Sequence, residues 1–288
     1  MNSQVFFADA ESNLENAEYV IFGVPYDKTS SFRHGASKAP KEIRNASWNF
    51  ETFNMRTQVD LRDIKIHDYG DIDVKNDKPE IMISKVRKLV SMLLSKNKFP
   101  IAVGGEHSIT PGIIQAFPRD IAVLSLDAHI DFREKYDNQS YNHACVIRRI
   151  SEHIPIGNIV LIGVRSADRE EFQEMKKQNL FYIDSFEIKN KGIKQVLSKT
   201  KEYLRDKQIY LTLDIDVLDP AYAPGTSTPE PFGLTTFDIL EIIDFFSPSL
   251  VGFDIVEVCP NYDNGETALL AAKLIRQTIE QNWFKKHG

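Results

Sequence analysis

The chain has 288 residues, with 41 acidic against 35 basic side chains and a formal charge of −6. Hydrophobic residues make up 42% and charged residues 26%, the composition of an ordinary globular protein long enough to bury a sizeable core. The acidic balance excludes nucleic-acid binding by bulk positive charge and argues against an anionic membrane surface as partner.

Short apolar runs and amphipathic segments alternate along the chain. Strands are predicted at 19–24, 99–103, 121–126, 158–163, 179–183, 208–213 and 250–256. Helices are predicted over 78–97, 111–117, 168–177, 190–205, 235–247 and 265–285. Thr110-Pro111 has the form of an N-cap followed by proline at the first helical position. No apolar run approaches the ~20 residues of a membrane helix. The first residues carry Asp9, Glu11, Glu15 and Glu18 without a basic stretch, unlike a signal or transit peptide. Cys145 and Cys259 are too few and too far apart for a disulfide framework or a CxxC metal pair, so a reducing, cytoplasmic compartment is expected. Nearly all-apolar strands alternating with helices predict one three-layer α/β/α domain over 1–288, its parallel sheet covered on both faces. In such sheets the ligand site lies beyond the carboxyl ends of the strands.

Polar clusters follow five of the predicted strands. Gly104-Gly105-Glu106-His107-Ser108 follows 99–103, and Asp127-Ala128-His129-Ile130-Asp131 follows 121–126. Asp214-Ile215-Asp216, then Asp219-Pro220, follow 208–213; Glu257 follows 250–256. A weaker cluster with Arg165 and Asp168 follows 158–163. Asp127, His129 and Asp131 are spaced by two, as are Asp214 and Asp216, so on an extended chain each set shares one face. A lone aspartate after a strand is ordinarily an N-cap, a turn residue or half of a surface ion pair. Carboxylates from several strand ends converging with His107 at one rim are costly to desolvate and repel one another unless cations are bound. Imidazole and carboxylate without thiolate suit Mn, Zn, Fe or Ni rather than a structural zinc site. Six candidate ligands (His107, Asp127, His129, Asp131, Asp214 and Asp216) exceed one tetrahedral site, and the four aspartates carry the charge that two divalent ions neutralise. The same four account for most of the net negative charge.

At these residues the sequence resembles the ureohydrolase (arginase–agmatinase) family. GGEHS at 104–108, SLDAHIDFR at 125–133, LDIDVLDPAYAPGTSTPEP at 213–231 and DIVEVCPNYD at 254–263 match the family's motifs in order. GVPYD at 23–27 and FRHGASKAPKEIR at 32–44 resemble its N-terminal part, and Asn142 to Arg149 looks most like the agmatinases. The resemblance implies an arginase-like α/β/α sandwich with a mostly parallel, about eight-stranded sheet, assembled as a homotrimer or homohexamer. It implies two Mn²⁺ ions, one held by His107 and Asp131, the other by His129 and Asp216, with Asp127 and Asp214 bridging. Ser227 and Ala144 stand where many members have glycine, beside the expected substrate channel.

The implied substrate is a small guanidino compound, agmatine first, cleaved to putrescine and urea. Two metals about 3.5–4 Å apart lower the pKa of a shared water enough to supply hydroxide. On this reading Asp131 would orient that nucleophile and take its proton. Glu257 would hold the guanidinium by charge-assisted hydrogen bonds. His143 would carry a proton to the departing amine. Thr228, on a proline-stiffened loop over 219–232, and Asp168 are candidate substrate contacts. Glu134 and Asp137 are candidates to meet a second positive charge on the substrate, although Arg133 and Lys135 share their loop. Another ureohydrolase activity (guanidinobutyrase, formimidoylglutamase or arginase) is the nearest alternative. A metal-free binding or regulatory pseudoenzyme is the alternative of another class, disfavoured because no ligand of the set is missing. A binuclear phosphoesterase would need basic groups to receive phosphate, and only Arg165 stands at a strand end.

Overall fold

Strands that are apolar along their whole length need cover on both faces, and the chain supplies it by alternating strand and helix. The computed structural model describes residues 5–287. In chain order the elements are β1 (Tyr19–Val24), α1 (Ala39–Ser47), β2 (Ile66–Asp71), α2 (Pro79–Ser95), β3 (Phe99–Gly104), α3 (Thr110–Ile114), β4 (Ala122–Leu126), α4 (Val146–Ser151), β5 (Ile159–Val164), α5 (Arg169–Lys177), β6 (Phe181–Asp184), α6 (Ser185–Lys191), α7 (Ile193–Leu204), β7 (Ile209–Asp214), α8 (Thr236–Phe246), β8 (Leu250–Val256) and α9 (Glu266–His287). The strands form one eight-stranded sheet in the order β2-β1-β3-β8-β7-β4-β5-β6, and every pairing is parallel.

Alternate strand residues feed two separate cores. Ile21, Ile101, Val103, Leu124 and Leu126 pack on one face with side chains of α1, α6, α7, α8 and α9. Val20, Phe22, Ala102 and Val123 pack on the other with α2, α3, α4 and α5. The period of two along each strand thus becomes the three layers. From β1 the chain steps out to the edge at β2 and returns inside to β3, β4 to β6 wind outward to the other edge, and β7 and β8 fill the middle. The carboxyl ends of β3, β8, β7 and β4 therefore sit side by side, the crevice where such sheets bind ligands.

Seven strands lie where the apolar runs predict them. The eighth, β2, reads IHDYGD and is half polar, because it is an edge strand with alternate residues facing solvent. Three short helices, α1, α4 and α6, were not legible either. Thr110 does not cap α3: its hydroxyl turns inward and donates to Asp254 Oδ2 at 3.1 Å. No helix among the described residues is long and apolar enough to cross a membrane.

A buried ion pair fastens the polar edge strand. Arg44 of α1 is 3% exposed and donates to Asp68 of β2 through Nε at 2.7 Å and Nη2 at 2.9 Å, and to Asp71 at 2.5 Å. Asp68 also accepts the Phe7 N–H at 2.7 Å and the Gly70 N–H at 2.9 Å. Removing the cation alone strands a buried charge. Arg44→Ala is expected to lower stability by ~3–5 kcal/mol. Urea denaturation should also show that Arg44→Met combined with Asp68→Leu loses less than the single variant.

Candidate metal centre

The exits of four neighbouring strands build the centre. After β3 the chain passes so close to the turn after β1 that a side chain at Gly105 would collide with the Tyr26 carbonyl. Gly105 and Glu106 N–H groups donate to Val24 and Tyr26 carbonyls at 2.8 Å. This fixes His107, 1% exposed, in a 3-10 turn with its ring aimed across the sheet.

The carboxylates are aimed by backbone hydrogen bonds. Asp127 Oδ1 accepts the His129 N–H at 2.6 Å, Asp214 Oδ1 accepts the Asp216 N–H at 2.9 Å, and Asp216 Oδ1 accepts the Ala128 N–H at 3.0 Å. Each Oδ2 is left for the centre. Around His107 Nδ1 stand Asp127 Oδ2 at 3.2 Å, Asp131 Oδ2 at 3.3 Å and Asp214 Oδ2 at 3.4 Å. His129 Nδ1 lies 3.0 Å from Asp216 Oδ2 and 3.6 Å from Asp127 Oδ1. The convergence does not come from strand alternation, as the spacing suggested. Asp127, His129 and Asp131 lie in the loop after β4, and Asp216 in a 3-10 turn after β7. Asp131 reaches the centre by adopting φ of +51°, a backbone conformation an aspartate rarely takes.

The six residues fit divalent cations. His107, Asp127 and Asp214 form one group of potential ligands and Asp127, His129 and Asp216 another, with ligand atoms within 4.8 Å of one another. His107 Nδ1 and Asp127 Oδ2 are buried and close, yet neither has a hydrogen-bond partner among the described residues. Their lone pairs serve a shared point rather than each other. Burial, then the charge of Asp127, pushes Asp131 up to about 7. Burial, with Asp216 and Asp127, holds Asp214 well above the carboxylate range. Against burial, the surrounding aspartates hold His107 and His129 well above the ordinary imidazole value. Protons are thus drawn to the points where cations would relieve the same repulsion. Nitrogen and oxygen donors without sulfur suit Mn²⁺ among other divalent ions.

A second layer orients His107. Its Nε2 lies 3.0 Å from Thr212 Oγ1, whose own proton goes to Asp254 Oδ1 at 2.6 Å. Asp254 is fully buried and also accepts from Tyr210 and Thr110 hydroxyls at 2.8 and 3.1 Å. Nε2 must therefore donate, leaving Nδ1 as the ligand atom.

Above the centre opens a cavity of about 330 Å³ whose lining includes Asp131, His143, Asp168, Ser227, Thr228 and Glu257. All the residues singled out as catalytic or substrate-binding are thus brought to one place. Glu257 has φ of +63°; its Oε1 accepts the His107 N–H at 2.6 Å, and its Oε2 accepts the Ser227 hydroxyl. Burial pushes its carboxyl up to about 8 against the Ser227 hydrogen bond. Burial also pushes His143 down to about 4, so its imidazole is neutral at neutral pH. Asp168 is in addition the N-cap of α5, with Oδ1 accepting the Glu170 N–H at 2.8 Å.

Other readings change. Glu134 turns away from the cavity to pair with Arg148 at 2.8 Å and Arg149 at 3.1 Å, and Asp137 is not among the lining residues. Arg165 is not a receptor for anions. Its guanidinium donates to the carbonyls of Asp216 at 2.7 Å and Glu230 at 2.8 Å, tying the proline-rich loop to the exits of β5 and β7. Cys145 and Cys259 are free and buried. The sequence reading missed Thr29, Ser31 and Tyr136, which come from loops, and Glu171, in the first turn of α5, none of them carrying a motif signal; Ser31, Tyr136 and Glu171 line the cavity, and Thr29 contacts His143.

The second layer generates a test. Asp254→Asn, which removes the charge that holds Thr212, is expected to weaken Mn²⁺ binding ~10–100-fold. Calorimetric titration measures it, and an unchanged far-ultraviolet dichroism spectrum checks that the fold persists.

The comparisons with known proteins agree with this geometry. A model of the arginase family matches residues 17–280. The chain is 36% identical to an agmatinase of Bacillus subtilis (strain 168) over 285 residues, 96% of each protein. It is 34% identical to an N(1)-aminopropylagmatine ureohydrolase of Thermococcus kodakarensis over 270 residues, 92% of this chain and 91% of that one. The crystal structure of an agmatine ureohydrolase of Thermoplasma volcanium superposes with a TM-score of 0.95 at 42% identity, covering 100% of this chain and 98% of the other. The chain belongs to the arginase family and is a hydrolase of guanidino carbon–nitrogen bonds.

Proposed function

We propose that the chain hydrolyses agmatine to putrescine and urea with two Mn²⁺ ions. His107 and Asp131 would hold one ion and His129 and Asp216 the other, with Asp127 and Asp214 between them. The observation that carries the reading is the pair of ligand groups sharing Asp127 on the floor of a cavity walled by Glu257 and His143. When bound, such a pair of ions supplies Lewis acidity and lowers the pKa of water towards neutrality.

The chain's own residues do the rest. Glu257 accepts guanidinium N–H groups and sets the plane of the substrate over the centre. Asp131 takes a proton from the attacking water as its oxygen bonds to the guanidinium carbon. His143 delivers a proton to the amine nitrogen as the carbon–nitrogen bond breaks. Both protons of the water end on the amine, which leaves as an ammonium, and urea remains. Thr228 lies on the cavity wall beside this path.

The outer wall favours a cationic tail. Glu171 is balanced by Arg133, whose Nε lies 3.4 Å away, while Asp168 Oδ2 has no hydrogen-bond partner among the described residues. The agmatinase relative supports the same choice. A second reading, a longer polyamine conjugate such as N(1)-aminopropylagmatine, is favoured by an adjoining groove of about 440 Å³. It meets the cavity at Asp168 and is lined by Phe172, Tyr182 and Phe186.

Urea release from Mn²⁺-loaded protein with agmatine, N(1)-aminopropylagmatine, arginine and 4-guanidinobutyrate tests the assignment. Agmatine is expected to give the highest kcat/KM; preference for arginine overturns it, and protein that retains no stoichiometric metal is a pseudoenzyme. His143→Asn is expected to lower kcat ~10²–10⁴-fold at unchanged metal content.

A further inference from the structure

Thr29 and Glu106 belong to no ligand group, yet together they reach His143. Glu106 is fully buried beside the centre and has no cationic partner among the described residues. Four donors close its carboxylate instead. Oε2 accepts the N–H groups of Lys28 at 2.7 Å and Thr29 at 2.6 Å. Oε1 accepts the hydroxyls of Thr29 at 2.8 Å and Ser108 at 2.5 Å. Asp27 holds the loop in place by accepting the Ser30 hydroxyl at 2.6 Å and the Gly35 N–H at 2.5 Å.

The Thr29 hydroxyl has one proton, and Glu106 takes it. Towards His143 it is therefore an acceptor only. It receives the His143 backbone N–H at 3.0 Å, and His143 Nδ1 lies 3.3 Å away. Nδ1 must then carry the ring proton. Nε2 is left with its lone pair, 3.3 Å from the Ser31 hydroxyl, which also lines the cavity. The opposite tautomer would need Thr29 to turn its proton to Nδ1 and leave a buried carboxylate one donor short.

We infer that Thr29, held by Glu106, is a positioning residue that fixes His143 as the Nδ1–H tautomer, so that protons enter and leave through Nε2 alone. The inference rests on the proposed role of His143 as proton carrier. In the step it describes, Nε2 takes a proton that came from the attacking water, the ring becomes imidazolium, and Nε2 returns that proton to the departing amine nitrogen. Nδ1–H is never exchanged in the cycle, and its hydrogen bond through Thr29 to the Glu106 carboxylate stabilises the transient positive charge.

Neutron diffraction of the deuterium-exchanged, metal-loaded enzyme reads the tautomer directly. Deuterium on Nδ1 of His143 is expected in the wild type and in Thr29→Ser. Glu106→Gln reverses the logic: its amide nitrogen donates to Thr29, releases the threonine proton to Nδ1, and should move the ring deuterium to Nε2. In urea-release assays, Thr29→Val and Glu106→Gln are expected to lose at least ~10-fold in kcat, with KM within about twofold of wild type. Thr29→Ser should restore kcat. Deuterium on Nε2 in the wild type, or the same tautomer in Glu106→Gln, overturns the inference even if His143→Asn is inactive. A wild type that releases no urea from any guanidino compound overturns the proposed function instead, and leaves the diffraction result to stand or fall separately.

Discussion

Four carboxylates held in one buried cluster repel one another, and the rest of the structure is arranged around that constraint. The repulsion is not relieved by rotation, because three of the four spend one oxygen on a backbone N–H and point the other inward. From beneath, no water can relieve it, because the strands are apolar and covered on both faces. The apparent basicity of His107 and His129 and the raised Asp131 and Asp214 carboxyls are two sides of the same demand for positive charge. The two apolar cores therefore do more than stabilise the sheet. They hold the strand exits in register against an electrostatic force that would otherwise spread them.

The same small device sets two histidines for opposite work. In each case a threonine hydroxyl stands between the ring and a buried carboxylate and gives its proton to the carboxylate. Thr212 and Asp254 require Nε2 of His107 to donate, which frees Nδ1 for the centre. Thr29 and Glu106 require Nδ1 of His143 to donate, which frees Nε2 for the cavity. An interposed hydroxyl passes on the directional preference of a carboxylate without bringing its charge into contact with the imidazole. A carboxylate in direct contact would raise the ring's proton affinity, whereas His143 is held neutral by burial.

The sequence made the chemistry more legible than the path of the chain. The six candidate ligands could be read because binding cations demands particular side-chain types, and those types are conspicuous after apolar strands. The cause of their convergence was only partly legible: spacing by two suggested extended chain, but turns and a positive φ at Asp131 bring the groups together. Strand β2 was hidden by its edge position, since alternating polar residues lack the apolar run that marks a central strand. Thr29 was hidden for a deeper reason. It meets His143 across 114 residues of sequence, and Glu106 across 77, so its role exists only after the β1 and β3 exits pack together.

The candidate ligands and the outer cavity wall come from different stretches of the chain. The candidate ligands stand on or just after strand ends, whereas the outer cavity wall comes from segments around 31, 133–144, 166–171 and 227–228. Arg165 couples the two by fastening the proline-rich loop to the exits of β5 and β7. Ser227, carried on that loop, occupies one acceptor position of Glu257, and the His107 N–H occupies another. A carboxylate offers about four acceptor positions, so one remains on each oxygen. That pair matches the parallel N–H groups of a planar guanidinium and gives a lone ammonium no equivalent two-point contact. On the proposed reading, Glu257 would discriminate which end of a doubly charged substrate enters first, and the groove beyond Asp168, lined by Phe172, Tyr182 and Phe186, would meet the tail carried behind it.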